Sequence, residues 1–132
     1  MGAIQQQLEV RRGDIIWLKT DIAYNEFGGS VQSVNRPYIV ISNNINNEKC
    51  STVNIASLSK AVTKEYYPMH VFLDKKKYKL SYNSIVLAEQ VKTIPRHYIR
   101  RKVSSLDTED LKKLNRAIFV QMIDENLNID AV

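Results

Sequence analysis

An arginine held rigidly at the mouth of an apolar strand is equipped to grip an anion. Residues 36–43, Arg-Pro-Tyr-Ile-Val-Ile-Ser-Asn, supply one. Proline disfavours helical backbone in the residue before it, so Arg36 is extended as the chain enters the strand. Residues 38–41 are an apolar, β-rich run suited to burial, and Ser42, Asn43 and Asn44 turn the chain back at its far end. A planar guanidinium can hold two phosphate oxygens at once. This stretch therefore points to a phosphate site. Upstream, Gly28 and Gly29 allow backbone to pass close to a phosphate or to adopt positive φ. Tyr66 and Tyr67, just before Pro68, are placed to stack on unpaired bases or to enter the core.

Other reactive residue types are sparse. Cys50 is the single cysteine and lies in a polar turn. That excludes an internal disulfide, suits a reducing cytoplasm and makes the residue incidental. His70 invites an acid–base role, but it directly precedes the apolar run 71–73 and reads as structural. No His, Cys, Asp or Glu cluster has metal-ligand spacing, and no cofactor motif is present.

The elements that must position these residues follow from punctuation and periodicity. At 132 residues with 44% hydrophobic side chains, the chain reads as one domain, residues 1–132, with flexible tails at 1–9 and 125–132. No apolar run approaches the ~20 residues of a membrane span, and residues 1–7 carry no secretory signal. A turn at Gly13-Asp14 precedes a first strand ending near residue 19. A long loop, 20–35, follows, and long loops in compact domains are often functional. Further strands are expected at 37–42, 52–58, 69–73 and 84–93, with turns at 43–47 and 75–77. A short helix is expected near Pro95. A longer one follows Asp107, with Asp107 as cap and Leu111, Leu114, Ile118 and Met122 as its apolar stripe. Strands first and the main helix last implies a small, mostly antiparallel α+β or barrel-like domain.

Charge is unevenly spread. Residues 1–106 hold 16 Lys or Arg against 8 acids, whereas residues 107–132 hold 3 against 6. A basic body favours polyanions, nucleic acid above all. Lys75, Lys76, Lys77 and Lys79, and Arg100, Arg101 and Lys102, read most simply as solvated charge.

Taken in order, Arg12 to Trp17, Glu26 to Gly29, Arg36 to Asn43, residues 52–59, residues 84–94 and residues 106–117 resemble the MazF/PemK family of toxin endoribonucleases. The resemblance covers about residues 10–120. It implies a small SH3-like antiparallel β-barrel with a C-terminal helix and a short additional helix, assembled as a homodimer. It implies sequence-specific, metal-independent cleavage of single-stranded RNA that leaves a 2′,3′-cyclic phosphate and a 5′-hydroxyl. It also implies a cognate antitoxin whose acidic, partly disordered C-terminal tail lies across the RNA site. By position, Arg36 matches the family's catalytic arginine. Ser59 stands where the family usually has a threonine, and it keeps the hydroxyl. Phe27 stands where glutamine is common, and the loop before Arg36 is longer than usual.

On this reading Ser59 donates to a non-bridging phosphate oxygen. Glu26, a carboxylate on the loop expected to overlie the phosphate, is a candidate general base. Glu89 and Gln90 read base edges or pair within the dimer. Gly28, Gly29, Phe27, Asn43, Tyr66 and Tyr67 complete the expected substrate contacts. The competing reading is a non-nuclease toxin or nucleic-acid-binding regulator on the same fold, such as a gyrase poison. That reading needs neither Arg36 nor a hydroxyl at residue 59.

Overall fold

The structure, a computed structural model, describes residues 8–19, 36–62 and 67–123. In chain order the elements are β1 (Asp14–Leu18), β2 (Tyr38–Val40), α1 (Asn44–Lys49), β3 (Thr52–Lys60), β4 (His70–Leu73), α2 (Lys75–Tyr78), β5 (Ser84–Pro95), β6 (Ile99–Ser105) and α3 (Thr108–Met122). One turn of 3₁₀ helix, Arg96–Tyr98, joins β5 to β6. The six strands form one sheet in the order β4-β5-β3-β2-β1-β6, with every pairing antiparallel. The fold is α+β, as the strand and helix signals imply.

Both faces of the central strands are buried, which is why residues 38–41 read as a continuous apolar run rather than an alternating one. Ile15, Ile39, Ala56 and Leu58 belong to one core, closed by Leu114 and Ala117 of α3. Their neighbours Ile16, Tyr38, Val40 and Ile55 belong to the other, together with Ile94 and Ile99 from the end of β5 and the start of β6. No α-helix contributes to this second core among the described residues, so the sheet has to curl around it, as in a small barrel. The curl is visible in the β3–β5 register. Ala56 pairs with Val91 but Ser57 pairs with Leu87, so residues 88–90 form an irregularity at which β5 bends.

The Arg12-Gly13-Asp14 segment is the junction of the molecule. The Arg12 guanidinium donates to Asn115 of α3 and to the Ile41 carbonyl, while its backbone N–H donates to Asn44 at 2.8 Å. Gly13 has φ +88°, donates to the Val40 carbonyl at 2.8 Å and accepts from Leu106 at 3.0 Å. Asp14, buried, accepts from the Arg11 N–H at 2.8 Å and the Ser105 hydroxyl at 2.6 Å.

A second polar junction ties α2 to α3. Tyr78 donates its hydroxyl proton to Asp110, and Lys77 pairs with Asp107 and Asp110. Burial, followed by the Asp110 contact, pushes the Tyr78 hydroxyl up to about 12. The hydrogen bond from Lys77 holds the Asp107 carboxyl below its usual range.

Several expectations are corrected. Residues 43–47 are not a simple turn. Asn43 accepts from the Asn46 N–H at 2.9 Å and so caps a helix. The triple lysine is likewise helical, capped by Asp74. The short helix expected near Pro95 is present as one turn of 3₁₀ helix, Arg96–Tyr98, with Pro95 at its N-cap as the last residue of β5 rather than inside its first turn. Strand β6 gave no periodic signal, because Arg100, Arg101 and Lys102 are all exposed. Within α3, Asp107 caps as expected and Leu114 is buried, but Met122 is 61% exposed at the helix end.

A Cβ added at Gly13 would sit 2.6 Å from Leu111 Cδ2, on a backbone conformation that L-residues avoid. We predict that Gly13→Ala lowers folding stability by about 2 kcal/mol, measured by chemical denaturation at fixed protein concentration. A Gly13→Ala midpoint equal to wild type would refute the junction role.

Candidate active site

Arg36 and Ser59 are brought together by strand register. Strand β2 pairs with β3 as Tyr38↔Ser57, Ile39↔Ala56 and Val40↔Ile55. The Leu58 N–H donates to the Pro37 carbonyl at 3.3 Å, which carries the same register one step further. Continuing it places Arg36 opposite Ser59, and directly opposed residues in an antiparallel pair project on the same side. Proline has no N–H, so the ladder cannot run past Pro37 as regular pairing. Arg36 therefore sits just beyond the ladder, next to a strand that continues to Lys60.

The two side chains line one open cleft of about 170 Å³, together with Pro37, Lys60, Tyr82 and Ser84. Arg36 and Ser59 are half-buried. Tyr82 and Ser84 come from the segment leading into β5, where Ser84 pairs with Lys60 and Ile85 with Ser59. That segment is pinned at several points. Ala61 donates to the Asn83 carbonyl at 2.8 Å, the Asn83 side chain accepts from the Lys75 N–H at 3.0 Å, and the Ser84 hydroxyl donates to the Tyr82 carbonyl at 2.9 Å. The Lys60 ammonium lies 4.4 Å from the Tyr82 ring centroid, a cation–π distance. The charge of Arg36 is felt at Tyr38. Burial raises the Tyr38 hydroxyl above its usual range, and Arg36 works in the opposite direction.

This arrangement can do two things for a phosphodiester. The guanidinium and the Lys60 ammonium neutralise charge on phosphate oxygens, and the Ser59 hydroxyl can donate to one of them. No Asp or Glu lines the cleft among the described residues. Nor do three or more His, Cys, Asp or Glu side chains gather anywhere among those residues as a metal would need.

The other expected contacts are placed elsewhere. Asn43 lies beyond the opposite end of β2 and uses its side chain to cap α1, so it does not line the Arg36 cleft. Glu89 and Gln90 are exposed at the bend of β5, within the strand rather than at its end. Glu89 meets His70 Nε2 at 3.0 Å, and the His70 ring stands edge-on to Tyr67 at 5.3 Å. Tyr67, 69% exposed, thus belongs to a His70–Glu89 group and not to the Arg36 cleft. Glu26, Phe27, Gly28, Gly29 and Tyr66 lie outside the described residues.

Sequence reasoning missed Lys60, Tyr82 and Ser84. Their only signal is relational. Lys60 follows Ser59, and Tyr82 reaches the cleft because β5 pairs with β3 at that end.

Comparison with known proteins bears on the family and the fold. A family model described as PemK-like, MazF-like toxin of type II toxin–antitoxin system matches residues 11–122. A protein of Staphylococcus saprophyticus subsp. saprophyticus named Endoribonuclease MazF is 32% identical over 113 residues, covering 86% of this chain and 91% of its own. Among solved structures, an endoribonuclease from a mycobacterial species superimposes with a TM-score of 0.66 at 16% identity, covering 88% of this chain and 93% of its own. A mycobacterial endoribonuclease in complex with its cognate antitoxin gives 0.64 at 17% identity, covering 86% and 94%. Those two likenesses speak for the fold, whereas the family match and the staphylococcal relative speak for kinship: the chain belongs to the PemK-like, MazF-like toxin family of type II toxin–antitoxin systems.

Proposed function

We propose that the chain is an endoribonuclease that cleaves single-stranded RNA at defined sequences by attack of a 2′-hydroxyl on the adjacent phosphorus, with no metal ion. The observation that carries this reading is the placement of Arg36 and Ser59 in one cleft. The staphylococcal relative's name supports the activity class. In the reaction the 2′-oxygen–phosphorus bond forms and the phosphorus–O5′ bond breaks, leaving a 2′,3′-cyclic phosphate and a 5′-hydroxyl. Arg36 holds two equatorial oxygens as charge builds on the phosphorane, and on this reading it also donates a proton to the departing O5′. Ser59 donates to a non-bridging oxygen. The 2′-hydroxyl proton passes to a general base, for which Glu26 is the candidate.

The proposal extends to assembly and control. The toxin acts as a homodimer in the cytoplasm, and a cognate antitoxin with an acidic, partly disordered C-terminal tail silences it by lying over the basic cleft. The antitoxin complex of the mycobacterial neighbour supports that kind of partner. So does the basic character of residues 1–106, with 16 Lys or Arg against 8 acids.

Incubating the purified protein with a long RNA in EDTA should yield discrete fragments that end in cyclic phosphate. Arg36→Ala should slow this cleavage by more than about 10³-fold with the fold retained by circular dichroism. Full activity in Arg36→Ala would remove the central group of the mechanism. Intact RNA with inhibited gyrase supercoiling would instead make the protein a gyrase poison. Ser59→Ala should be slower by about 10²-fold, and Ser59→Thr should work at close to the wild-type rate. Equal rates for all three would show the hydroxyl to be idle.

A further inference from the structure

A second, larger cleft adjoins the first. It measures about 300 Å³ and is walled by Trp17, Lys79, Tyr82 and Arg101. Pro37, Tyr82 and Ser84 line both clefts, so Tyr82 stands on their shared wall. Tyr82 is 56% exposed. Trp17 and Arg101 face each other across the β1–β6 pairing, with the guanidinium 6.0 Å from the indole ring. Lys79 ends α2 in the left-handed conformation, φ 57°, a position where glycine is usual. Among the described residues it is the one non-glycine with positive φ. A lysine kept in that conformation on a cleft wall invites a functional explanation.

The chemistry of the pair of clefts alternates. The smaller holds Arg36, Lys60 and a serine hydroxyl, which suit a phosphate. The larger offers aromatic faces flanked by two cations, which suit an unpaired base with its own phosphate. Neither cleft is lined by an acid among the described residues. The volume is at the lower limit for small-ligand pockets, roughly 300–1,000 Å³, so it has room for one base and not for paired strands. We propose that this cleft is the subsite for the nucleotide next to the scissile phosphate, with the base stacked on Tyr82 and the backbone held by Arg101 and Lys79. It rests on the nuclease reading for the identity of the neighbouring phosphate. Tyr82 is then a specificity-determining residue, because the base that stacks best within these walls sets the preference at that position.

Trp17 is the only tryptophan in the chain, so its fluorescence reports directly on this cleft. The test titrates the full chain with a 2′-O-methyl RNA hexamer, which binds but lacks the attacking hydroxyl. Wild-type emission should be quenched on binding. Tyr82→Ala should weaken the titration about tenfold, the effect of losing one base stack, whereas Tyr82→Phe should keep wild-type affinity. Lys79→Ala, measured alongside, should weaken binding through a different group and with a lower salt slope. Mapped fragment ends from a digested transcript should lose their preference at one flanking nucleotide in Tyr82→Ala. Quenching without any RNA cleavage would uphold an unpaired-base site in this cleft while overturning the nuclease reading and, with it, the cleft's place beside a scissile phosphate. Cleavage by the wild-type protein with unchanged Trp17 emission, or with the same affinity and the same end preference in Tyr82→Ala, would overturn the subsite.

Discussion

The register between β2 and β3 is the constraint on which the molecule's chemistry depends. Three paired residues and one further hydrogen bond to the Pro37 carbonyl decide that Arg36 confronts Ser59. A slip of one residue would turn every side chain of β2 to the opposite face. It would also exchange the two cores, since Ile39 serves one and Tyr38 and Val40 the other. The apolar demand on both faces therefore protects the alignment of the site. The geometry of the candidate site is inherited from core packing.

The same logic explains why the Arg12-Gly13-Asp14 segment stands so early in the chain and matters so widely. Each residue performs a different junction task. Arg12 joins the end of β2 to α3, Gly13 gives a close approach that no side chain could share, and Asp14 anchors the end of β6 through Ser105. Burial lowers the pKa of the Arg12 guanidinium, a sign that it works in a partly desolvated setting. A charged group placed there is tolerated because its donors are satisfied by the Ile41 carbonyl and Asn115. By contrast, Arg36 opens onto solvent, where an incoming anion can reach it.

Much of this is legible in the sequence. The buried run after Arg36, the cap at Asp107 and the α+β order all follow from local rules. Ser59 is a candidate through resemblance, and the pairing register sets it opposite Arg36. What escaped reading was relational or atypical. Strand β6 carries three exposed basic residues in succession, so no alternation marks it. The asparagine-rich segment 43–47 has turn composition, yet Asn43 starts a helix and Asn47 is buried with its side chain bonded to Ser42. Tyr82, Lys60 and Trp17 converge from three strands or strand-flanking segments, and no linear pattern announces such a meeting.

The junction of Tyr78 and Lys77 with Asp107 and Asp110 has a mechanical corollary. Residues 79–83 start where α2 ends, and that helix is fastened to the first turn of α3. Freeing α3 from the sheet would break those contacts and loosen the segment that carries Tyr82. The C-terminal helix and one bank of the cleft are therefore tethered to each other by a handful of polar atoms, and neither can shift far without disturbing that tether.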